Sequence, residues 1–266
     1  MPDNLHLGPI PIHWFGILLA LAMLAAGWAA SREFARRGLD ARLAWDAVVI
    51  GCFGGLLGAR LWVIIESWPA FLDQPLRYIL SGGGLAWYGG FAGGALALTW
   101  FFRRRRIPWL TAADAIAPAL ALGHAIGRIG CQVSGDGDWG SETKLPWGMT
   151  YPYAVVGWNY PPGVRVHPTP IYEMLAYLAV FAYLWRARHR EEPSGRQFAR
   201  YLTLAGAARF LVEFVRINPR VLFGLTVAQL VSLGLVAVGA ILLAVRRAPL
   251  KAPARAPGAP SAASRS

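Results

Sequence analysis

Seven stretches of this 266-residue chain are apolar over lengths near the ~20 helical residues needed to cross a hydrocarbon layer of about 30 Å. They lie near Ile12–Ala30, Ala44–Ile65, Leu85–Phe102, Thr111–Gly127, Ile171–Trp185, Phe198–Val215 and Leu225–Val245. Backbone polar groups cannot go unpaired in lipid, and these runs are too long and too evenly apolar for barrel strands, so they read as helices. Only 15% of the residues are charged, against about a quarter in an average soluble domain, so an ordinary soluble enzyme does not fit. The expected fold is an all-α integral membrane protein with about seven transmembrane helices. Cys52 and Cys131 are too few and too far apart for a disulfide framework or a zinc site.

The net charge of +12 gives the direction of the spans, because cytoplasmic loops accumulate Lys and Arg. Seventeen basic residues fall on one side, in Ser31–Leu43, Arg103–Arg106, Arg186–Arg196 and the tail from Arg246; six fall on the other. The N-terminus is therefore expected outside and the C-terminus in the cytoplasm. With no positive segment before it, the first span reads as a retained helix rather than a cleaved signal peptide. Beside a span, Arg103–Arg106 reads as topology and affinity for anionic lipid rather than as nucleic-acid binding. Residues 1–247 form the expected membrane domain, with 128–169 as a small extracytoplasmic head rich in Trp, Tyr, Pro and Gly. Residues 248–266, rich in Ala, Pro, Ser and Arg, are expected to be disordered.

Charges inside the spans are costly, about 2.5–3.5 kcal/mol each on insertion scales, so each needs a reason. Asp46 and Asp114, near span ends, suit a helix cap or a structural ion pair. On the sixth span Arg209, Glu213 and Arg216 are spaced i, i+4 and i+7, one stripe of one helix. Two guanidiniums with an orienting carboxylate can hold an anion such as a phosphodiester; the alternative is an internal Arg209–Glu213 salt bridge that only packs helices. The fourth span ends in His124 and Arg128, followed by a glycine-rich run, Gly130-Cys131-Gln132 to Gly140, that either wraps a bound group or simply turns. Asp136 and Asp138 resemble a calcium loop only superficially, because later ligands are missing. Gly89 with Gly93, and Gly90 with Gly94, have the small-residue spacing of close helix packing, which also leaves a gap an acyl chain can enter beside the Tyr88 hydroxyl.

Several of these stretches together resemble the bacterial prolipoprotein diacylglyceryl transferase family: His13-Trp14-Phe15-Gly16, the Gly-Gly pair after Tyr88, Gly127-Arg128-Ile129-Gly130, His167 to Glu173, Arg209 to Arg216, and Gly224 to Leu230. The resemblance implies a multi-pass transferase of the bacterial inner membrane that needs no metal and no diffusible cofactor. It implies transfer of the diacylglyceryl group of phosphatidylglycerol to the lipobox cysteine of a preprolipoprotein, forming a thioether and releasing glycerol 1-phosphate. Arg128 and Arg209 would hold the headgroup, with Glu213 and Arg216 supporting, and Gly89, Gly90 and Cys131 would line the lipid site. The chain departs from the family pattern at Tyr88, where a histidine usually handles a proton, at Cys131, usually asparagine, and at Phe15, usually tyrosine. A tyrosine hydroxyl is a poor base but a good hydrogen-bond partner, so Tyr88 is expected to contribute to catalysis in that way. His124 is the alternative base. A phospholipid-binding protein of the same fold without transfer is the other reading.

Overall fold

The computed structural model describes residues 4–7, 10–80 and 86–246. The Gly82–Leu85 stretch and the tail from Ala248 lie outside the described residues. A short antiparallel hairpin, β1 (Asn4–Leu7) and β2 (Ile10–His13), leads into α1 (Trp14–Arg36) and α2 (Arg42–Glu66). Two short helices follow, α3 (Trp68–Asp73) and α4 (Pro75–Leu80), then α5 (Trp87–Arg104), α6 (Trp109–Ser134), α7 (Thr169–Ala187) and α8 (Arg196–Val212). A second hairpin, β3 (Arg220–Leu222) and β4 (Leu225–Thr226), precedes α9 (Val227–Val245). The protein is thus all-helical in character, and among the described residues long helices overlap the stretches read from sequence. Four of them, α1, α2, α6 and α9, are long and apolar enough to cross a membrane. Helices α7 and α8 carry Glu173, Arg200 and Arg209, which lower their hydropathy.

Helix α1 lies along α6, α2 along α5, α8 along α9, and α6 also packs on α7. The α2–α5 contact is backbone to backbone: a Cβ on Gly58 would stand 2.3 Å from the Gly89 carbonyl oxygen, and one on Gly93 2.3 Å from that of Gly54. No side chain fits there, so the small-residue spacing is used for close approach. The interior is built from small residues, with Ala29, Ala44, Ala112 and Ala115 around Phe34 and Phe102. Large apolar side chains such as Phe53, Leu57, Ile65 and Leu96 point outward, as expected where the solvent is hydrocarbon.

Polar pairing fastens the two ends differently. At the end where α1, α5 and α7 finish and α2, α6 and α8 begin, Asp46 meets Arg105 at 3.6 Å. Glu33, fully buried, pairs with Arg36 at 2.8 Å and Arg37 at 3.7 Å. Asp114 accepts hydrogen bonds from the backbone N–H of Gly195 at 2.8 Å and of Phe198 at 2.7 Å. It therefore supplies from α6 the cap that α8 lacks locally, since Gly195 at its start has no side-chain oxygen. Asp46 and Asp114 both have the structural roles expected of them. Replacing Asp114 by alanine is expected to lower stability by about 2 kcal/mol, through two orphaned N–H groups in a buried place, read as a lower melting temperature in detergent.

Two expectations about helix ends are corrected. The fourth span does not stop at Gly127: α6 continues to Ser134 and ends at Gly135, which has the left-handed φ of 61°. Cys131 is therefore on the helix, one turn beyond Arg128, rather than in a loop. Conversely, α8 ends at Val212, one 3-10 turn spans Glu213–Val215, and Arg216 is extended at φ −83°, ψ 160°. Arg209, Glu213 and Arg216 are not one helical stripe. Tertiary pairing replaces the helix there: Gly140 and Arg216 form an antiparallel bridge, and Ser141 N–H donates to the Val215 carbonyl at 2.8 Å.

Candidate functional site

At the other end of the molecule, four segments bring six charged side chains together. Helix α6 contributes Arg128, with His124 a turn before it and Cys131 just after, on one helical face. Helix α7 contributes Glu173, placed one turn in because Pro170 suits the first turn, where its missing N–H is not needed. The end of α8 and the turn after it contribute Arg209, Glu213 and Arg216. The loop after α6 returns Asp138.

Glu173 is the common partner. Its Oε2 lies 2.6 Å from Arg128 Nε and 3.6 Å from His124 Nε2; its Oε1 lies 3.1 Å from Arg209 Nη1 and 3.6 Å from Arg216 Nη1. Glu213 stands 2.6 Å from Arg209 Nη1 and 3.5 Å from Arg216 Nε. It is held on its other side by the Asn218 amide at 2.7 Å and the Thr226 hydroxyl at 2.8 Å. Thr226 also caps α9 through a capping box with Gln229. Asp138 bridges Arg128 and Arg216 through its two carboxylate oxygens, and its backbone carbonyl accepts from Arg216 at 3.0 Å. Burial alone would raise the Asp138 carboxyl, but Arg216 and then Arg128 outweigh it and hold it below the usual range. Nearby Asp136 has the opposite balance, its carboxyl pushed up by burial.

Three guanidiniums thus face three carboxylates, and depth distinguishes them. The Glu173 and Glu213 side chains are 0% exposed, whereas those of Arg128 and Arg209 are 15% and 20% exposed. Glu173 and Glu213 lie behind and fix the arginines, whereas Asp138, 28% exposed, sits beside Arg128 and Arg216 at the open side. The Arg209–Glu213 salt bridge and the anion-binding surface are therefore one construction, not alternatives. Buried ion pairs contribute little net stability after desolvation, so such a cluster is a functional-site candidate before it is a strut. Preorganised guanidiniums in a partly dry site can stabilise developing negative charge, as on a departing phosphate.

Of the residues singled out in the sequence, Arg128, Arg209, Glu213, Arg216, Cys131 and His124 come together. Cys131 Sγ accepts from Arg128 Nη1 at 3.6 Å, and the His124 ring stacks on Tyr177 at 3.8 Å between centroids. Cys131 also clusters with Asp136 and Asp138, but Asp138 is already occupied by two guanidiniums. The remaining candidates lie on the α2–α5 pair. Gly89 and Gly90 abut the α2 backbone at Gly58 and Gly55, and the half-exposed Tyr88 ring packs 6.4 Å from that of Trp62. Glu173 and Asp138 were not chosen from sequence as site residues. The available signal was charge balance: three arginines at one membrane end require more carboxylates than Glu213 alone.

Comparison with known proteins matches residues 2–245 to the family model described as prolipoprotein diacylglyceryl transferase. Among similar curated proteins, the phosphatidylglycerol–prolipoprotein diacylglyceryl transferase of Bacillus cereus (strain B4264) is 33% identical over 246 residues, covering 91% of each chain. The protein of the same name from Cupriavidus metallidurans is 34% identical over 255 residues, covering 91% of this chain and 92% of its own.

Proposed function

This chain belongs to the prolipoprotein diacylglyceryl transferase family, and on that premise we propose how its ion cluster serves the reaction. It is a transferase that moves a diacylglyceryl group from phosphatidylglycerol to a prolipoprotein. The acceptor is the lipobox cysteine thiol. Its sulfur forms a bond to the glyceryl carbon as that carbon's bond to the phosphate oxygen breaks, giving a thioether and glycerol 1-phosphate. The observation that carries this reading is the pair of partly exposed guanidiniums, Arg128 and Arg209, backed by the fully buried Glu173 and Glu213.

Arg128 and Arg209 hold the phosphate and stabilise the charge that builds on it as it leaves. Arg216 and Glu213 support them, with Asp138 and Glu173 fixing the forks. The thiol, with an ordinary pKa about 8.5, must lose its proton to attack. His124 Nε2, 3.3 Å from Arg128 Nε, is the basic nitrogen nearest the phosphate-binding arginines and the candidate acceptor. Cys131 beside Arg128 lines the same site; Gly89 and Gly90 abut the α2 backbone and serve that packing instead of an acyl path. Tyr88 donates a hydrogen bond to the ester or phosphate. All seven long helices cross the bacterial inner membrane, residues 1–247 forming the membrane domain. The basic loops face the cytoplasm, while the ion cluster and the 128–169 head are on the outer side. This orientation rests on the distribution of Lys and Arg.

The test is incubation of the purified protein with phosphatidylglycerol and a lipobox peptide, followed by mass measurement. A peptide heavier by one diacylglyceryl group is expected; its absence, where a reference transferase makes it, sinks the proposal. In the same assay Tyr88→Phe is expected to lose about tenfold in rate, the worth of one hydrogen bond made in the transition state. Full activity of that variant removes Tyr88 from the catalytic group.

A further inference from the structure

The β3–β4 hairpin carries a combination that its own fold does not explain. Strand β3 pairs with β4 so that Leu222 faces Leu225 across a two-residue turn, Phe223-Gly224. Both turn residues have left-handed backbone, φ 51° at Phe223 and 71° at Gly224. That turn favours Asn-Gly, and a bulky residue is strained at the first position. Phe223 is also 90% exposed, so its ring contributes nothing to the packing of this chain. A residue that costs backbone strain and gains no internal contact is retained for a contact outside the chain.

The distribution of exposure identifies that contact. Val221 and Leu222 are consecutive in the strand, so their side chains leave opposite faces of the ribbon, yet both are more than half exposed. A partner protein would cover one face; apolar surface on both faces and at the tip fits a fluid apolar surrounding. Exposed apolar side chains also flank the hairpin on either side in sequence, Phe214 in the 3-10 turn after α8 and Val227 and Val231 on α9. Polar detail agrees: Arg220 donates to the Gly224 carbonyl at 2.7 Å. It thereby satisfies a turn oxygen that would lack water in lipid, and it keeps a cation at headgroup level.

We propose that the β3–β4 hairpin dips into the leaflet on the ion cluster's side of the membrane, with Phe223 as its wedge among the acyl chains. The occupant is bulk phospholipid. Both legs of the hairpin are fastened to the cluster, one through Arg216 to Asp138, the other through Thr226 to Glu213. The anchor therefore sets the depth of the guanidiniums relative to the phosphates. This does not depend on the transfer reaction.

The test places p-benzoylphenylalanine, a photoreactive crosslinker, at Phe223, Val221 or Leu222, one at a time, in the full chain reconstituted into phosphatidylethanolamine–phosphatidylglycerol nanodiscs. Samples are irradiated with and without a lipobox peptide. The expected product at all three positions is the protein plus one phospholipid mass, in equal yield with and without peptide. Adducts to the peptide at Phe223, labelling of lipid from only one of Val221 and Leu222, or no lipid adduct at any position would each overturn the proposal. A variant at Phe223 that does not fold leaves the Val221 and Leu222 arms, which alone decide between insertion and one-sided docking.

Discussion

Replacing Glu173 by alanine is expected to cost about 3–5 kcal/mol of stability and to reduce transfer at least a hundredfold. The carboxylate is fully buried and touches Arg128, Arg209, Arg216 and His124. Without it three guanidiniums share two carboxylates, and the surplus positive charge remains in a place water reaches poorly. Breaking a buried pair by deleting one partner is far costlier than never having had the pair. Glu173→Gln separates the two effects, since the amide keeps the volume and one acceptor oxygen but not the charge. It is expected to recover part of the stability and little of the activity. Arg209→Ala combined with Glu173→Ala should be less damaging to stability than the sum of the two single changes, because each removes what the other leaves unpaired. Thermal unfolding in detergent, with the transfer assay on the same samples, checks all three; a Glu173→Ala protein as stable as the parent would contradict the buried-partner assignment.

Arg128→Lys is expected to lower kcat/KM by about a hundred- to a thousandfold while leaving the protein folded. Arg128 reaches Glu173 through Nε and Asp138 through Nη1, two directions that only a planar fork supplies. An ammonium keeps the charge but cannot hold both carboxylates and also present N–H groups to a phosphate. The size is that found for removing one well-placed donor to a developing negative charge. Because charge is conserved, the melting temperature should fall far less than for Glu173→Ala. Equal losses in both variants would mean that Arg128 acts mainly as a strut. Retained activity in Arg128→Lys would show that charge alone, without geometry, serves the phosphate.

The legible part of the site was what an apolar background makes conspicuous. Arg128, Arg209, Glu213 and Arg216 stand out in sequence because a charge among some twenty apolar residues needs a reason. Asp138 did not stand out: it sits among glycines in a loop, where an aspartate is ordinary, and only the returning chain places it between two guanidiniums. Glu173 was not legible as a hub, since its partners lie on α6 and past α7 on α8, far away in sequence. The Arg209–Glu213–Arg216 spacing gave the correct companions through incorrect geometry. Arg216 is past the end of α8, and it joins the others because its backbone pairs with Gly140. Gly89 and Gly93 were readable as packing residues, because absence of a side chain at helical spacing has few other uses.

The sequence by itself determined the all-helical character, the apolar surroundings, and which few residues carry charge within the helices. Those are properties of composition along a line, and a hydrocarbon layer reads such a line almost directly. The tertiary structure alone decided the pairing. It decided that Glu173 and Glu213 lie behind arginines, that α6 runs on to carry Cys131, and that α8 breaks off to deliver Arg216. The physical reason is that ion pairing in a low-dielectric setting depends on ångström distances between distant segments. Those distances are set by helix packing and chain return, not by spacing within any one helix.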